Sequence, residues 1–393
     1  MIFKPNRRRF IGQVGTGALA AAAGDVLLAQ SQPEAQSQLE AQSQPEAPYA
    51  TVPTQFQGHL AAGRSLLRFH DGSAVRTSED WQRRRTEIRA DWNRLVGAWP
   101  PIVAKPAMEL LEATNRGDIT QRRIRVQIAP DQTSDGFVLL PEGTGPFPAV
   151  FVPYYDPETS VGLSKNLLRD FAWQLALRGF VCLAIGSPGG DARKPVLSDL
   201  AKCQPLSYLG YIAANAWNAL AMMPEVDSKR IGIVGHSYGG KWAMFGSCLW
   251  DKYACAAWSD PGIVFDETRQ SINYQEPWYL GFDPTVTRMP GLVREDSPRT
   301  GAYKSLIENG HDLHELHSLM APRPFLVSGG EEDPPTRWTV LNHAIAVNKL
   351  LGFEGRVAMT NRQTHTPTVE SNEQIYRFFE YWLKSPHPER DQR

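Results

Sequence analysis

Four short stretches of this chain, Pro148 to Val152, Phe180 to Ile185, Arg230 to Val234 and Ala254 to Trp258, are apolar almost throughout instead of on alternate positions. A strand with one wet face alternates, whereas a strand covered on both faces does not, so these read as strands of a parallel sheet between two layers of helix. Stretches with helical spacing separate them, around Leu167 to Leu177, Leu209 to Met223 and Lys241 to Leu249. Such alternation, joined by right-handed crossovers, points to an α/β fold with one mostly parallel central sheet. The period lapses over residues 261–310, rich in Pro, Gly, aromatic and charged residues, as expected of an insertion over the sheet's carboxyl edge. It resumes with a helix around Leu313 to Met320, strand Pro324 to Ser328, helix Arg337 to Leu351, strand Arg356 to Met359 and a closing helix Ser371 to Lys384.

Upstream, Ser78 to Val96 sets Trp81, Ile88, Trp92 and Leu95 at helical spacing and ends before Pro100-Pro101, so residues 51–115 are expected to form a helical arm. Arg122 to Ala129 and Gly136 to Leu140 alternate apolar and polar across the turn-rich Pro130 to Asp135, which predicts an antiparallel pair. The catalytic domain is expected over residues 116–393.

The first fifty residues differ in kind. Arg7-Arg8-Arg9-Phe10-Ile11 precedes a mildly apolar run to Ala29 that is diluted by Gly15, Gly17, Gly24 and Asp25. It resembles a twin-arginine (Tat) signal peptide, residues 1–29, which implies export and a periplasmic or secreted protein that meets the membrane only in transit. Residues 30–50 follow as near-copies of a Gln/Ser/Pro/Glu hexapeptide, too polar to offset the entropy of ordering, and are expected to be a disordered linker. The whole chain carries 41 basic and 42 acidic side chains; loss of residues 1–29 removes four bases and one acid and leaves a net charge of -4. A surface of that balance has no footprint for nucleic acid. The four cysteines, Cys182, Cys203, Cys248 and Cys255, are too scattered for a disulfide framework and read as structural, with a Cys248 to Cys255 bridge left open by spacing alone.

Strand Ile231 to Val234 runs into Gly235-His236-Ser237-Tyr238-Gly239-Gly240 and then into a helix. G-x-S-x-G in that setting resembles the nucleophile elbow of the α/β-hydrolase superfamily, in which a sharp strand-to-helix turn presents a serine and the flanking positions must lack bulk. The resemblance spans roughly residues 115–385 and implies an acid and then a histidine further along the chain. Asp333, in Gly330-Glu331-Glu332-Asp333 after strand Pro324 to Ser328, stands where the superfamily carries its acid, and His365, before the last helix, stands where it carries its base. The oxyanion hole is expected to use the backbone N–H of Tyr238 and a second donor from Tyr155. His236 and His343 are expected to be structural.

Ser237-Tyr238-Gly239-Gly240-Lys241 looks like the S-R-x-G-K of glucuronoyl esterases, in which the lysine faces the sugar, and Ala321-Pro322-Arg323-Pro324 looks like a strand entry shared with acetyl xylan esterases. The arginine that follows the serine in glucuronoyl esterases is Tyr238 here. Some of those enzymes carry the acid after the superfamily's sixth strand, where Asp260 falls, so Asp260 is the alternate acid to the favoured Asp333. Lys241, Glu276 and Trp278 are expected at the substrate, the last two within an insertion whose aromatic residues suit sugar rings. His311, His314 and His317 share no single helix face, so no metal is expected, and no cofactor. The resulting expectation is a secreted serine hydrolase of carboxylic esters acting on carbohydrate-linked or small-molecule esters. The alternatives are a serine peptidase of prolyl-oligopeptidase type, or a non-catalytic carbohydrate-binding protein.

Overall fold

The computed structural model describes residues 47–385, so the signal-like segment and all but the last four residues of the expected linker lie outside the described residues. Helix α1 (Ser78–Val96) opens with Thr77 accepting the Asp80 N–H and buries Trp81, Ile88, Trp92 and Val96 along one stripe. Then come strands β1 (Met108–Arg116), β2 (Ile119–Ala129), β3 (Gln132–Pro141) and β4 (Phe147–Pro153). Helices α2 (Pro157–Ser160) and α3 (Phe171–Ala176) lead to β5 (Val181–Ile185), α4 (Pro205–Ala221), β6 (Val226–His236), α5 (Tyr238–Leu249) and β7 (Cys255–Ser259). After the insertion come α6 (Gly301–Glu308), α7 (His314–Ser318), β8 (Phe325–Gly329), α8 (Trp338–Leu350), β9 (Val357–Asn361) and α9 (Val369–Phe379), which runs on into a wider turn to Lys384.

The nine strands form one sheet in the order β9-β8-β7-β6-β4-β5-β3-β2-β1. From β9 to β5 the pairs are parallel, and β3, β2 and β1 extend the sheet antiparallel. Every residue of β5, β7 and β8 is buried, the physical content of their unbroken apolar sequence. Register is the part that matters for chemistry: His236 lies beside Ser259, Ser259 beside Ser328, and Gly329 beside Asn361. The carboxyl ends of β6, β7, β8 and β9 therefore finish level with one another, where an α/β sheet carries its sites.

Two boundaries differ from expectation. Residues 108–115, assigned to the helical arm, belong with Arg116 to the edge strand β1; most of its side chains are exposed, so no apolar alternation marked it. At the end of the expected linker the repeat composition gives way to Pro48-Tyr49-Ala50, and the Tyr49 carbonyl accepts from Met359 N–H on edge strand β9 at 3.1 Å. All four cysteines are buried and unbridged, including Cys248 and Cys255. Among the described residues, no helix is long and apolar enough to cross a membrane.

The arm packs on α7 and α8 as part of the same unit. The Trp92 indole is fully buried and donates to Glu315 at 3.0 Å, and the Arg85 and Arg89 guanidinium groups meet Asp251 at 2.6 and 2.5 Å. The expected-structural His343 bonds the Ala61 carbonyl, and Asn342 bonds those of Phe56 and His59. Replacing Trp92 with alanine removes a large buried ring and one of the donors to Glu315, so the Trp92→Ala variant is expected to lose about 3–5 kcal/mol of stability, read from the midpoint of urea denaturation.

Candidate active site

Ser237 is the single residue between β6 and α5. Its backbone sits at φ 56°, ψ -113°, a conformation that L-residues adopt only when surrounding structure imposes it. Space for that turn comes from its neighbours: a Cβ on Gly235 would strike the Gly239 carbonyl, and one on Gly239 would strike that of Pro153. The sharp turn leaves the first N–H groups of α5, beginning with Tyr238, without acceptors inside the helix.

The His365 ring bridges two partners, with Nε2 2.8 Å from Ser237 Oγ and Nδ1 2.7 Å from Asp260 Oδ2. Those partners assign the proton to Nδ1, which donates to the carboxylate and leaves Nε2 to accept from the serine. The carboxylate at the histidine is thus Asp260 and not the favoured Asp333. Asp260 leaves the end of β7, the strand next to the serine's own, at φ 50°. Asp333 is one strand further away, and its carboxylate turns to accept the N–H groups of Gly262 and Ile263 at 2.9 and 2.7 Å. Asp260 in return accepts from Gly330 N–H at 2.7 Å and Asp333 N–H at 2.9 Å. Burial first, and the Asp260 charge second, push the Asp333 carboxyl up to about 7, while the two backbone donors pull against them.

Tyr155 lies just beyond β4, its ring stacked on that of Tyr238 at 4.8 Å. Burial raises its phenol, opposed in order by a hydrogen bond with Ser237 and by the charges of Arg193 and Arg169. The Tyr238 hydroxyl instead donates to Ser187 Oγ at 3.0 Å. His236 is buried beneath the elbow as expected, against Ser259 Oγ and with its ring 4.7 Å from that of His365; burial holds it well below the ordinary histidine range.

The three expected substrate contacts fare differently. Lys241 is turned inward: its ammonium donates to the Pro261 carbonyl at 2.5 Å and lies 4.8 Å from the centre of the Tyr274 ring, so it braces the turn after Asp260. Burial lowers it to about 8 despite Asp333, Glu332 and Asp260 nearby. Glu276 reaches the wall of a groove, but Arg288 at 3.0 Å and the Gly291 N–H at 2.6 Å occupy its carboxylate, and its burial is near complete. Trp278 lines that groove, of about 730 Å³, together with Arg193, Lys194 and Asn273. His311 pairs with Glu315 and Arg64, and His314 with the Arg64 carbonyl, so these two pack against the arm, while His317 is buried against Trp258 and Phe325.

One residue escaped the sequence reading altogether. Arg362, three positions before His365, donates to the carbonyls of Ser328, His365 and Thr366 at 2.9, 2.7 and 3.0 Å, clamping the histidine's loop to β8. A lone arginine in a loop carries no pattern by which to find it.

No family model matches the chain. A 4-O-methyl-glucuronoyl methylesterase from Schizophyllum commune is 24% identical over 274 residues, 65% of this chain and 64% of that protein, so the chain spans just under two thirds of the curated relative it matches. A glucuronoyl esterase from Solibacter usitatus superposes with a TM-score of 0.65 at 18% identity, covering 84% of this chain and 98% of that one. The corresponding figures are 0.59, 18%, 86% and 95% for a carbohydrate esterase family 15 glucuronoyl esterase from Caldicellulosiruptor kristjansonii, and 0.55, 15%, 84% and 91% for the glucuronoyl esterase catalytic domain from Hypocrea jecorina.

The geometry separates the two acids. Asp260→Asn is expected to lower kcat by ~10⁴-fold, because an amide cannot hold the Nδ1 proton in place, whereas Asp333→Asn is expected to cost no more than about tenfold; full activity of the Asp260 variant would overturn this order. Asp333 also has a pH signature. With its folded pKa near 7 and the unfolded value near 4, the folded state holds a proton that the unfolded state has lost, so stability from this group is present below about pH 4 and lost as pH rises to about 7. An asparagine side chain at this position cannot ionise, so Asp333→Asn should gain in stability relative to the parent between about pH 4 and pH 8, measured by urea denaturation at both. With β6 to β9 level at one edge and a serine at their turn, the chain has the α/β-hydrolase fold, and glucuronoyl esterases are among the solved structures it resembles.

Proposed function

We propose that this protein is a serine hydrolase of carboxylic esters, working on carbohydrate-linked esters through an acyl-enzyme. The observation that carries the reading is the unbroken relay from Ser237 Oγ to His365 at 2.8 Å and from His365 to Asp260 at 2.7 Å. A serine hydroxyl is a poor nucleophile until a base takes its proton, and a neutral imidazole held by a buried carboxylate is suited to that task. In the acylation step Ser237 Oγ bonds to the ester carbon as its proton passes to His365 Nε2, and the imidazolium then protonates the departing alcohol. Water repeats the sequence and releases the acid. Negative charge that develops on the carbonyl oxygen falls at the first turn of α5, where the Tyr238 N–H has no helical acceptor and Tyr155 lies against Tyr238.

The likeness to glucuronoyl esterases supports a sugar-linked substrate, and the aromatic groove offers a ring-sized platform. The twin-arginine-like segment supports a periplasmic or secreted location. Fluorophosphonate is expected to label Ser237 in the parent and not in Ser237→Ala. Parallel assays should show p-nitrophenyl acetate turned over faster than aminoacyl anilides; amide turnover exceeding ester turnover would instead establish the peptidase alternative.

A further inference from the structure

The loop between β5 and α4 is fastened to the two tyrosines that flank the nucleophile. Ser187 N–H donates to the Tyr155 carbonyl at 3.1 Å, and Ser187 Oγ accepts from the Tyr238 hydroxyl at 3.0 Å. Two glycines in the left-handed region, Gly189 and Gly190, turn the chain back, and the Asp191 carboxylate caps the turn by accepting the Arg193 N–H at 2.8 Å. Arg193 and Lys194 are thereby set on the wall of the 730 Å³ groove, with the Arg193 guanidinium 5.9 Å from the centre of the Trp278 ring.

Several arginines elsewhere meet carboxylates closely: Arg85 with Asp251 at 2.6 Å, Arg299 with Glu267 at 2.6 Å, Arg337 with Asp266 at 2.8 Å. Among the described residues neither Arg193 nor Lys194 has such a partner. The one acid on the groove wall, Glu276, is already neutralised by Arg288, and Asp191 is engaged by its own turn. Arg169, which does not line the groove, is near enough to Tyr155 to bear on its phenol. Exposed single cations are ordinary; consecutive ones on a turn pinned to Tyr155 and Tyr238, facing an indole across a concave surface, describe a receptor for a negatively charged ring compound.

We propose that the groove selects esters whose parent molecule carries a second, free carboxylate, received by Arg193 and Lys194 while the ring that bears it lies against Trp278. The inference rests on the serine-esterase reading above and narrows its substrate to partly esterified acidic saccharides. A methyl-esterified acid is neutral at the bond to be cut, so the recognised charge must come from a neighbouring unesterified unit of the same chain.

The test compares kcat/KM for two digalacturonates, one with a single methyl ester and a free carboxylate, the other with both carboxylates methylated. The parent is expected to favour the monoester at least about tenfold, and salt near ~1 M should erase that preference, because the screening length there falls to ~3 Å, the distance of an exposed ion pair. In R193Q/K194Q the monoester should lose at least about ten times more than the diester. Equal losses for both esters would assign the cations to the transition state and overturn the inference, as would a preference that survives the double variant or high salt. If neither digalacturonate turns over while p-nitrophenyl acetate does and Ser237 labels, the inference fails alone. If Ser237 also fails to label, the esterase reading fails with it.

Discussion

The Asp260 carboxylate is fully buried, and a bare charge there would be costly to hold. It is tolerated because four groups converge on it: the His365 ring and the backbone N–H groups of Gly330, Glu332 and Asp333. Asp333 answers from the other loop by accepting from Gly262 and Ile263. The turns after β7 and β8 thus hold each other through their carboxylates, each satisfied by the other's backbone. Removing either side leaves buried donors without acceptors, which is why such networks rigidify a site when they are complete. Ser237 depends on the same seam, since its own N–H is held by the Ser259 carbonyl at 2.8 Å, one residue before Asp260.

Two acids in one buried region repel each other unless cations stand close. Lys241 supplies one from the first turns of α5 and Arg362 another from the loop of His365; both feel Asp260 and Asp333, and both have their pKa lowered mainly by burial. Neither faces the substrate groove. Each also donates to backbone carbonyls in the loops that carry the relay, Pro261 for the lysine and His365 for the arginine. A lysine expected to meet a sugar therefore serves as a brace, because its side chain runs towards the turn after Asp260, where charge and carbonyls await it.

The sheet, its helices and two members of the relay were legible because each depends on local pattern. Full burial writes itself as unbroken apolar strands, and the elbow writes itself as glycines at positions where a side chain cannot fit. Asp260 against Asp333 was not legible, since both follow apolar strands, both lie near glycine, and only the backbone path after each strand decides which carboxylate meets His365. Edge strand β1 was missed for a related reason: Leu110 and Leu111 are consecutive and exposed, so nothing in their order separates inside from outside. Arg362 and the direction of Lys241 are long-range outcomes, and no spacing rule reaches them.

Tyr238 shows how the departure from the S-R-x-G-K pattern is accommodated. Its ring is buried between Tyr155, Trp242 and Tyr279, and its hydroxyl reaches Ser187. An arginine there would bring a charge into an aromatic pocket beside Lys241, a buried cation already matched by Asp333, Glu332 and Asp260. A neutral phenol avoids that cost and gains a fastening to the neighbouring loop. Positive charge is displaced outward, to Arg193 and Lys194 on the loop that the phenol holds, where water screens it and a ligand can reach it. A near-neutral chain can in this way carry a polarised site, because the acid on the groove wall, Glu276, is held by Arg288 while Arg193 and Lys194 stand without a carboxylate partner among the described residues.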